Sequence, residues 1–489
     1  MSHGEHAAHC DFVLIGAQGD LARRKLLPSL YELDKAGLLH EDTRIVGAAR
    51  RDYSHEEYRQ VVLENTNTFK KEDLCEETWA RFVKRLYFFR LDVAEQASYD
   101  AIREFLGEAV LPSVFYFAMP PATYGTICQG LNTAGLVDDK CRVVLEKPIG
   151  KDLESSKVIN DQVAEFFKES QIYRIDHYLG KETVMNMFAL RFANALFTNN
   201  WDHNTIDHVQ ITVGEEVGIE GRWGYFDQAG QMRDMVQNHL LQLLTIMAME
   251  PPADLSADSV RTEKLKVLKA LRPISHTNID AKTVRGQYAA GFLKGQSVPG
   301  YLEEDGANER SETETFVAIR VDIDNWRWAG VPFYLRTGKR MPQKLSEIVV
   351  YFKQQPHNVF EHSYRNLPAN KLIIRLQPNE GVELQVLNKV PGLDEPMKLQ
   401  ETKLDLSFSE TFASERIADA YERLLYEAMV GNQTLFVSRN EVEEAWIWAD
   451  SIIEAWQHCG VRAKPYQAGT WGPVSSVALL AKDDRNWHE

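Results

Sequence analysis

Through the first third of the chain, short apolar runs alternate with amphipathic stretches of helical period. The runs at 12–16, 44–49, 87–92, 114–118, 142–146 and 172–175 predict strands, and the stretches at 20–33, 56–64, 96–106, 123–133 and 154–168 predict the helices between them. Strands that alternate with helices in this way build a parallel sheet covered by helices. Ser54 and Glu57 form an S-x-x-E capping box that starts the second helix, and Pro28 falls inside the first, where it predicts a kink.

After Lys181 the rhythm changes. A helical segment runs through Asn194, and the apolar segments that follow are longer and separated by turns. Residues 315–324 set Val317, Ile319, Val321 and Ile323 against Ala318, Arg320, Asp322 and Asp324, the period of a half-buried antiparallel strand. Segments 331–336, 348–352, 372–376, 382–387 and 402–408 continue the series, and helices return at 417–429 and 441–456. The change of pattern predicts a domain boundary near 176–182.

Composition narrows the class of ligand. A chain of 489 residues is long enough for two or three domains, and 55 basic against 71 acidic side chains leaves a net charge of −16. That field repels a nucleic-acid backbone and an anionic membrane, so neither is an expected partner, and a phosphorylated ligand has to be held by locally gathered cations. Hydrophobic residues at 44% and charged residues at 26% are ordinary for a water-soluble globular protein. Cys10, Cys75, Cys128, Cys141 and Cys459 are scattered and contain no C-x-x-C pair, which predicts no zinc site, no disulfide framework and a reducing cytoplasm. His3, His6 and His9 read as a solvated tail, and no metal is expected.

The first predicted strand runs into Gly16-Ala17-Gln18-Gly19-Asp20-Leu21, a tight turn that feeds a helix. Glycines let backbone approach a pyrophosphate, and the helix start offers free N–H groups and the positive end of a dipole. The second strand ends at Ala49-Arg50-Arg51-Asp52, where an NAD enzyme usually presents an acid to the ribose. Guanidinium groups at that place suit a 2′-phosphate, which favours NADP, although Asp52 keeps NAD open.

Three further segments are richer in polar groups than their surroundings. Glu146-Lys147-Pro148 ends a buried strand, where Pro148 is a candidate for a cis bond, and it also reads as a plain strand cap. Arg174-Ile175-Asp176-His177-Tyr178-Leu179-Gly180-Lys181-Glu182 brings the acid Asp176, the Tyr178 phenol and the potential cations His177 and Lys181 into one loop, suited to a phosphorylated sugar beside a proton-transfer centre, or to an ion-paired hinge. Between Met232 and Met247, His239 lies in a stripe formed by Met235, Val236, Leu240 and Leu243 at 100° per residue. It is either a satisfied core histidine or a general base, and Gln231, Arg233, Asp234, Gln237 and Asn238 around it suggest a cleft wall. With no nucleophile elbow and no H-E-x-x-H motif in the chain, proton removal coupled to hydride transfer is the simplest chemistry left.

Together these segments resemble the glucose-6-phosphate dehydrogenase family. The resemblance covers nearly the whole chain and rests on GAQGDLARRKLLPSLY, EKPIG, RIDHYLGKE, DMVQNH, RGQY at 285–288, PFYLRTGKR at 332–340 and RLQPNEGV at 375–382, in the family's order; GIEGRWGYFDQAGQMRDM looks like the enzymes of Gram-negative bacteria. It implies an α/β Rossmann-like NADP-binding domain over 1–178 and an α+β domain with a large, mainly antiparallel sheet over 179–489 that binds substrate and pairs subunits. The implied reaction is oxidation of glucose 6-phosphate at C1 by NADP, the entry to the pentose phosphate pathway, in a homodimer or a dimer of dimers.

By position, the resemblance makes His239 the base and Asp176 its partner, with His177, Tyr178 and Lys181 on the 6-phosphate and Lys147 between sugar and cofactor. Glu215, Asp234, Lys339, Lys344 and Gln377 match positions that contact the sugar or its phosphate. Gly16 to Leu21, Arg50, Asp92, Val93 and Tyr124 match the cofactor side, and Lys25 is placed to reach the cleft. Gln18 departs from the small hydroxyl residue frequent in this turn, which removes a side-chain contact to phosphate and leaves the backbone cradle. Two rivals remain: a dehydrogenase of unphosphorylated sugars, which has no use for His177 and Lys181, and a non-catalytic NADP-binding regulator, which leaves Asp176 and His239 without a task.

Overall fold

The computed structural model describes residues 7–69, 74–107, 111–361, 364–392, 397–413 and 416–488, so His3 and His6 lie outside the described residues. It divides into two compact units. The first comprises Met1–Lys181 together with Pro252–Thr262 and Ala418–Glu443, and the second comprises Glu182–Pro251, Glu263–Ile417 and Glu444–Glu489. Two later segments thus belong with the run to Lys181 in the first unit.

The first unit is built on β1 (Asp11–Ile15), β2 (Arg44–Ala49), β3 (Leu86–Arg90), β4 (Ser113–Phe117), β5 (Arg142–Leu145) and β6 (Ile172–Arg174). Their order is β3-β2-β1-β4-β5-β6, with every neighbouring pair parallel. Strand order thus reverses between β1 and β4, the switch point at which open parallel sheets take their ligands. β1 and β4 are buried on both faces, which is why they read as unbroken apolar runs. Pro28 lies inside a continuous helical run: helical geometry begins at Asp20, passes through a π turn at Ala22–Leu26 and becomes α-helical at Leu27, so the disturbance expected of Pro28 coincides with a change of helix type directly before it. A helix at Glu76–Phe82, with only Thr78 and Phe82 buried, was not predicted. At His9 the expectation of a free tail fails, because Ala8 N–H donates to Leu38 O at 2.7 Å and the His9 ring stacks on His40 at 3.9 Å.

The returning helix Ala420–Val430 is tied in by charge at its end. Arg142 donates to the carbonyls of Ala428, at 3.1 Å, and Met429, a cation at a helix C-terminus. Gln433 Nε2 donates to the Glu169 and Ile172 carbonyls at 3.0 and 2.8 Å, which covers the β6 edge.

The second unit contains β7 (Ile206–Gly214), β8 (Thr283–Ala289), β9 (Gly291–Leu293), β10 (Gln296–Val298), β11 (Phe316–Val321), β12 (Phe333–Gly338), β13 (Leu345–Phe352), β14 (Lys371–Gln377), β15 (Gly381–Lys389), β16 (Leu399–Ser407) and β17 (Lys464–Gln467). Nine of these form one sheet ordered β16-β15-β14-β13-β7-β12-β11-β8-β17, while β9 and β10 make a separate hairpin. Only the pairs β7–β12 and β8–β17 are parallel, so the sheet is mainly antiparallel as expected. β11 corrects the half-buried reading. Both faces are covered from Phe316 to Ile319, because Ala318 packs into a core with Ile219, Phe226 and Tyr301. Among the described residues no helix is long and apolar enough to cross a membrane.

Candidate active site

In the first unit the predicted residues follow directly from the sheet. Parallel strands end on one edge, so Gly16 after β1, Arg50 after β2, Asp92 beyond β3, Glu146 and Lys147 after β5 and Asp176 beyond β6 all emerge there. Gly16 has φ +94°, and a Cβ on it would sit 2.3 Å from Ala118 O, so only glycine lets the turn pass this close to β4. Gly16 N–H donates to Ala48 O at 2.8 Å, and helical geometry starts at Asp20. Gln18 proves to be a tie: its Nε2 donates to Arg51 O at 2.9 Å and joins the glycine turn to the arginine loop. Arg50 is exposed, Asp20 pairs with Arg24 at 2.7 Å, and Asp92 Oδ1 accepts the Ala94 N–H at 3.1 Å. Val93 O accepts the Tyr99 hydroxyl at 3.1 Å.

Tyr124 opens the helix that follows β4. It is 0% exposed, and its hydroxyl donates to the Glu146 carbonyl at 3.1 Å, so it supports the strand end that bears Lys147. The Lys147–Pro148 bond is cis, as anticipated. Glu146 is buried. Burial pushes its carboxyl above the ordinary carboxylate range, against hydrogen bonds from Tyr116 and Tyr421 and the charge of Lys147.

In the loop after β6, Asp176 is 3% exposed and accepts the Tyr178 N–H at 3.0 Å. Lys181 Nζ lies 5.3 Å from the Tyr178 ring, and His177 stacks on Tyr421 at 6.2 Å with 7° between the planes. Tyr421 and Asp419 were missed in the sequence. Lys25, the predicted extra cation, is bound by Asp419 at 2.9 Å. Burial works to raise the Asp419 carboxyl, but Lys25, the Tyr421 N–H and the charge of Lys181 hold it below the ordinary range. The available signal was the D-x-x-E capping box Asp419/Glu422, which starts their helix.

In the second unit, register alone gathers four positions scattered from 215 to 377. Gly214 pairs with Gly338 across the parallel strands β7 and β12, so the next residues, Glu215 and Lys339, stand side by side. Leu345 of β13 faces Gly214, which brings Lys344 to the same end, and Gln377 closes β14 opposite Ser346. Lys339 has no exposed side-chain surface; its Nζ lies 2.7 Å from Glu215 Oε2, 3.8 Å from Asp234 Oδ2 and 4.9 Å from the Phe226 ring centre. Lys344 is exposed and, with Glu215 and Arg340, lines a cleft of about 620 Å³. Gln377 donates to Ser346 Oγ at 2.8 Å.

His239 is 0% exposed, on a segment Met232–Leu240 that is π-helical rather than α-helical. A π-helix pairs residues five apart, so the 100° stripe does not describe it, and Asp234 and His239 come to stand one turn apart. Met232, Met235, Val236 and Leu240 are nonetheless all buried. Part of the polar crowd at this helix start is structural: Gln231 Nε2 donates to Thr337 Oγ1 at 2.8 Å.

Residues 13–186 match the family model described as glucose-6-phosphate dehydrogenase, NAD binding domain, and residues 188–488 match the one described as glucose-6-phosphate dehydrogenase, C-terminal domain. The chain is 63% identical over 483 residues to the glucose-6-phosphate 1-dehydrogenase of Dickeya dadantii, covering 99% of this chain and 98% of that one. It is 51% identical over 481 residues to the enzyme of that name from Rhizobium meliloti, covering 98% and 97%. Among solved structures, a glucose-6-phosphate dehydrogenase in complex with glucose 6-phosphate superposes with a TM-score of 0.90 at 33% identity over 100% of both chains. The Mycobacterium avium enzyme superposes at 0.86 and 33% over 99% of both. With both halves matched and full-length relatives at this identity, the chain belongs to the glucose-6-phosphate dehydrogenase family.

Proposed function

We propose that this protein oxidises β-D-glucose 6-phosphate at C1 with NADP, giving 6-phosphoglucono-δ-lactone and NADPH, the entry step of the pentose phosphate pathway. The observation that carries the reading is full-length membership of a family whose relatives bear that activity in their names. A nicotinamide dinucleotide fits the first unit, since the Gly16 cradle is one that a single Cβ would fill. Bound there, the cofactor supplies the acceptor for the hydride that leaves C1.

The chain's own groups divide the remaining work. Arg50 and Arg51, at the end of β2, favour the 2′-phosphate of NADP over the free ribose hydroxyl of NAD. His177, Tyr178 and Lys181 hold the 6-phosphate against the net charge of −16, which repels it elsewhere. Glu215, Asp234, Lys339, Lys344 and Gln377 orient the sugar, and Lys147 lies between sugar and cofactor. A ring nitrogen of His239 removes the C1 hydroxyl proton as the C1–H bond breaks, and Asp176 fixes the imidazole and stabilises its charged form.

Exposed Leu404 and Leu406 on the edge strand β16, at 66% and 43%, support pairing of two copies as a homodimer or a dimer of dimers. Five free cysteines suit the cytoplasm. NADPH absorbance with glucose 6-phosphate and with glucose tests the function: reduction with the phosphate ester alone is expected, equal rates point to an unphosphorylated-sugar enzyme, and a flat trace with both points to a regulator.

A further inference from the structure

The helix that bears Asp234 and His239 is closed at both ends by buried side chains of opposite charge. It starts at Met232, is π-helical to Leu240 and continues as an α-helix from Leu241 to Ala248. At its start, Glu314 is 6% exposed, and its Oε1 accepts the Met232 N–H at 3.2 Å while its carbonyl accepts the Gln231 N–H at 2.9 Å. The second carboxylate oxygen binds Arg285 at 2.8 Å, and Arg285 is in turn seated 5.0 Å from the Trp456 ring. This gives the RGQY arginine a place in the unit that the proposed chemistry does not use. Gly230, at φ +66°, makes room: a Cβ there would stand 2.4 Å from Glu314 Oε1.

The far end is closed as completely. The carbonyls of Ile246, Met247, Ala248 and Met249 accept from Arg191, the Trp201 indole at 2.9 Å, the Trp328 indole at 2.8 Å and Arg191 again at 2.6 Å. Arg191 is 2% exposed. An anion at a helix N-terminus and a cation at its C-terminus each sit where the macrodipole favours them, and in a low-dielectric interior that preference is strong. Burying charges is otherwise costly, and uncharged caps would end a helix at lower cost.

We infer that Glu314 and Arg191 are positioning residues that fix the helix along its axis, so that His239 and Asp234 are held at a set depth, and that Arg285 acts through Glu314. The inference rests on the reading of His239 as the base. Neither clamp is assigned a contact with sugar or cofactor. A base displaced by about 1 Å loses on the order of a hundredfold in rate, so the clamps act on turnover rather than on binding.

Glu314→Gln, Glu314→Ala, Arg285→Met and Arg191→Met, each purified as the full-length folded enzyme, are compared with wild type and with His239→Asn. Expected for Glu314→Ala is a fall in kcat of about ten- to a hundredfold with KM for glucose 6-phosphate and NADP within about threefold of wild type, and a displaced acid limb in the pH profile of kcat. Glu314→Gln keeps an acceptor for the Met232 N–H and recovers most of the loss, while Arg285→Met falls between the two. A purely structural role would lower thermal stability and leave kcat per folded enzyme, KM and the pH limb unchanged, and that result overturns the inference. Should Glu314→Ala not fold, Arg285→Met and Glu314→Gln decide by the same readouts. If His239→Asn retains wild-type turnover, the base assignment has failed. If that variant is inactive and the clamp variants turn over like wild type, the clamp alone has failed.

Discussion

Replacing Lys339 by Met removes a cation enclosed by protein and leaves two carboxylates facing the same small volume. At an effective dielectric of ~20, attractions across 2.7 Å to Glu215 and 3.8 Å to Asp234 correspond to about 6 and about 4 kcal/mol before desolvation. Desolvation of the ammonium offsets most of that. Measured losses on removing one partner of a buried pair are about 3–5 kcal/mol, and the 26% exposure of the Glu215 side chain places this case at the low end, about 3 kcal/mol. For a unit of this size the loss lowers Tm by about 6–12 °C. Thermal unfolding followed by tryptophan fluorescence, on wild type and Lys339→Met, measures it. KM for glucose 6-phosphate should rise in parallel. No deficit would refute the placement of Lys339 between the carboxylates.

Arg50→Ala should raise KM for NADP at least tenfold and leave KM for NAD within about twofold, as expected for the loss of charge-assisted bonds to a 2′-phosphate; equal effects on both coenzymes would remove Arg50 from that role. Gly16→Ala should abolish dinucleotide binding in a fluorescence titration, because its methyl group would lie 2.3 Å from the Ala118 carbonyl, and unchanged binding would contradict the cradle. Burial raises the Glu347 carboxyl to about 7, so the stabilisation this group provides is complete below its unfolded range and is lost as pH rises through 7. Glu347→Gln should therefore flatten the fall of Tm between pH 5 and 8, and an unaltered slope would speak against a buried, neutral Glu347.

The parts legible in the sequence are those encoded locally. Each glycine turn, arginine pair or polar loop follows an apolar run, and parallel pairing carries Gly16, Arg50, Lys147 and Asp176 to one edge with no long-range information beyond the strand order. Glu215 and Lys339, 124 residues apart, become neighbours through strand register, and a family motif rather than periodicity pointed to them. Asp419 and Tyr421 were missed because their helix returns to the first unit from beyond the second sheet, an arrangement set by Arg142 and Gln433; the capping box at Asp419 marks where the helix starts and not the unit it joins. The π turns at Ala22–Leu26 and Met232–Leu240 were read as α-helix because the two forms bury similar apolar positions over one or two turns. Ala318 misled because a small apolar residue serves either face of a strand.

The central claim, that His239 takes the proton as hydride leaves C1, is tested most directly by the pH dependence of kcat/KM for glucose 6-phosphate in wild type and His239→Asn. The account predicts an acid limb in wild type that is absent from the variant, with kcat lower by orders of magnitude and the substrate still bound. An identical acid limb in both, at comparable turnover, would contradict it.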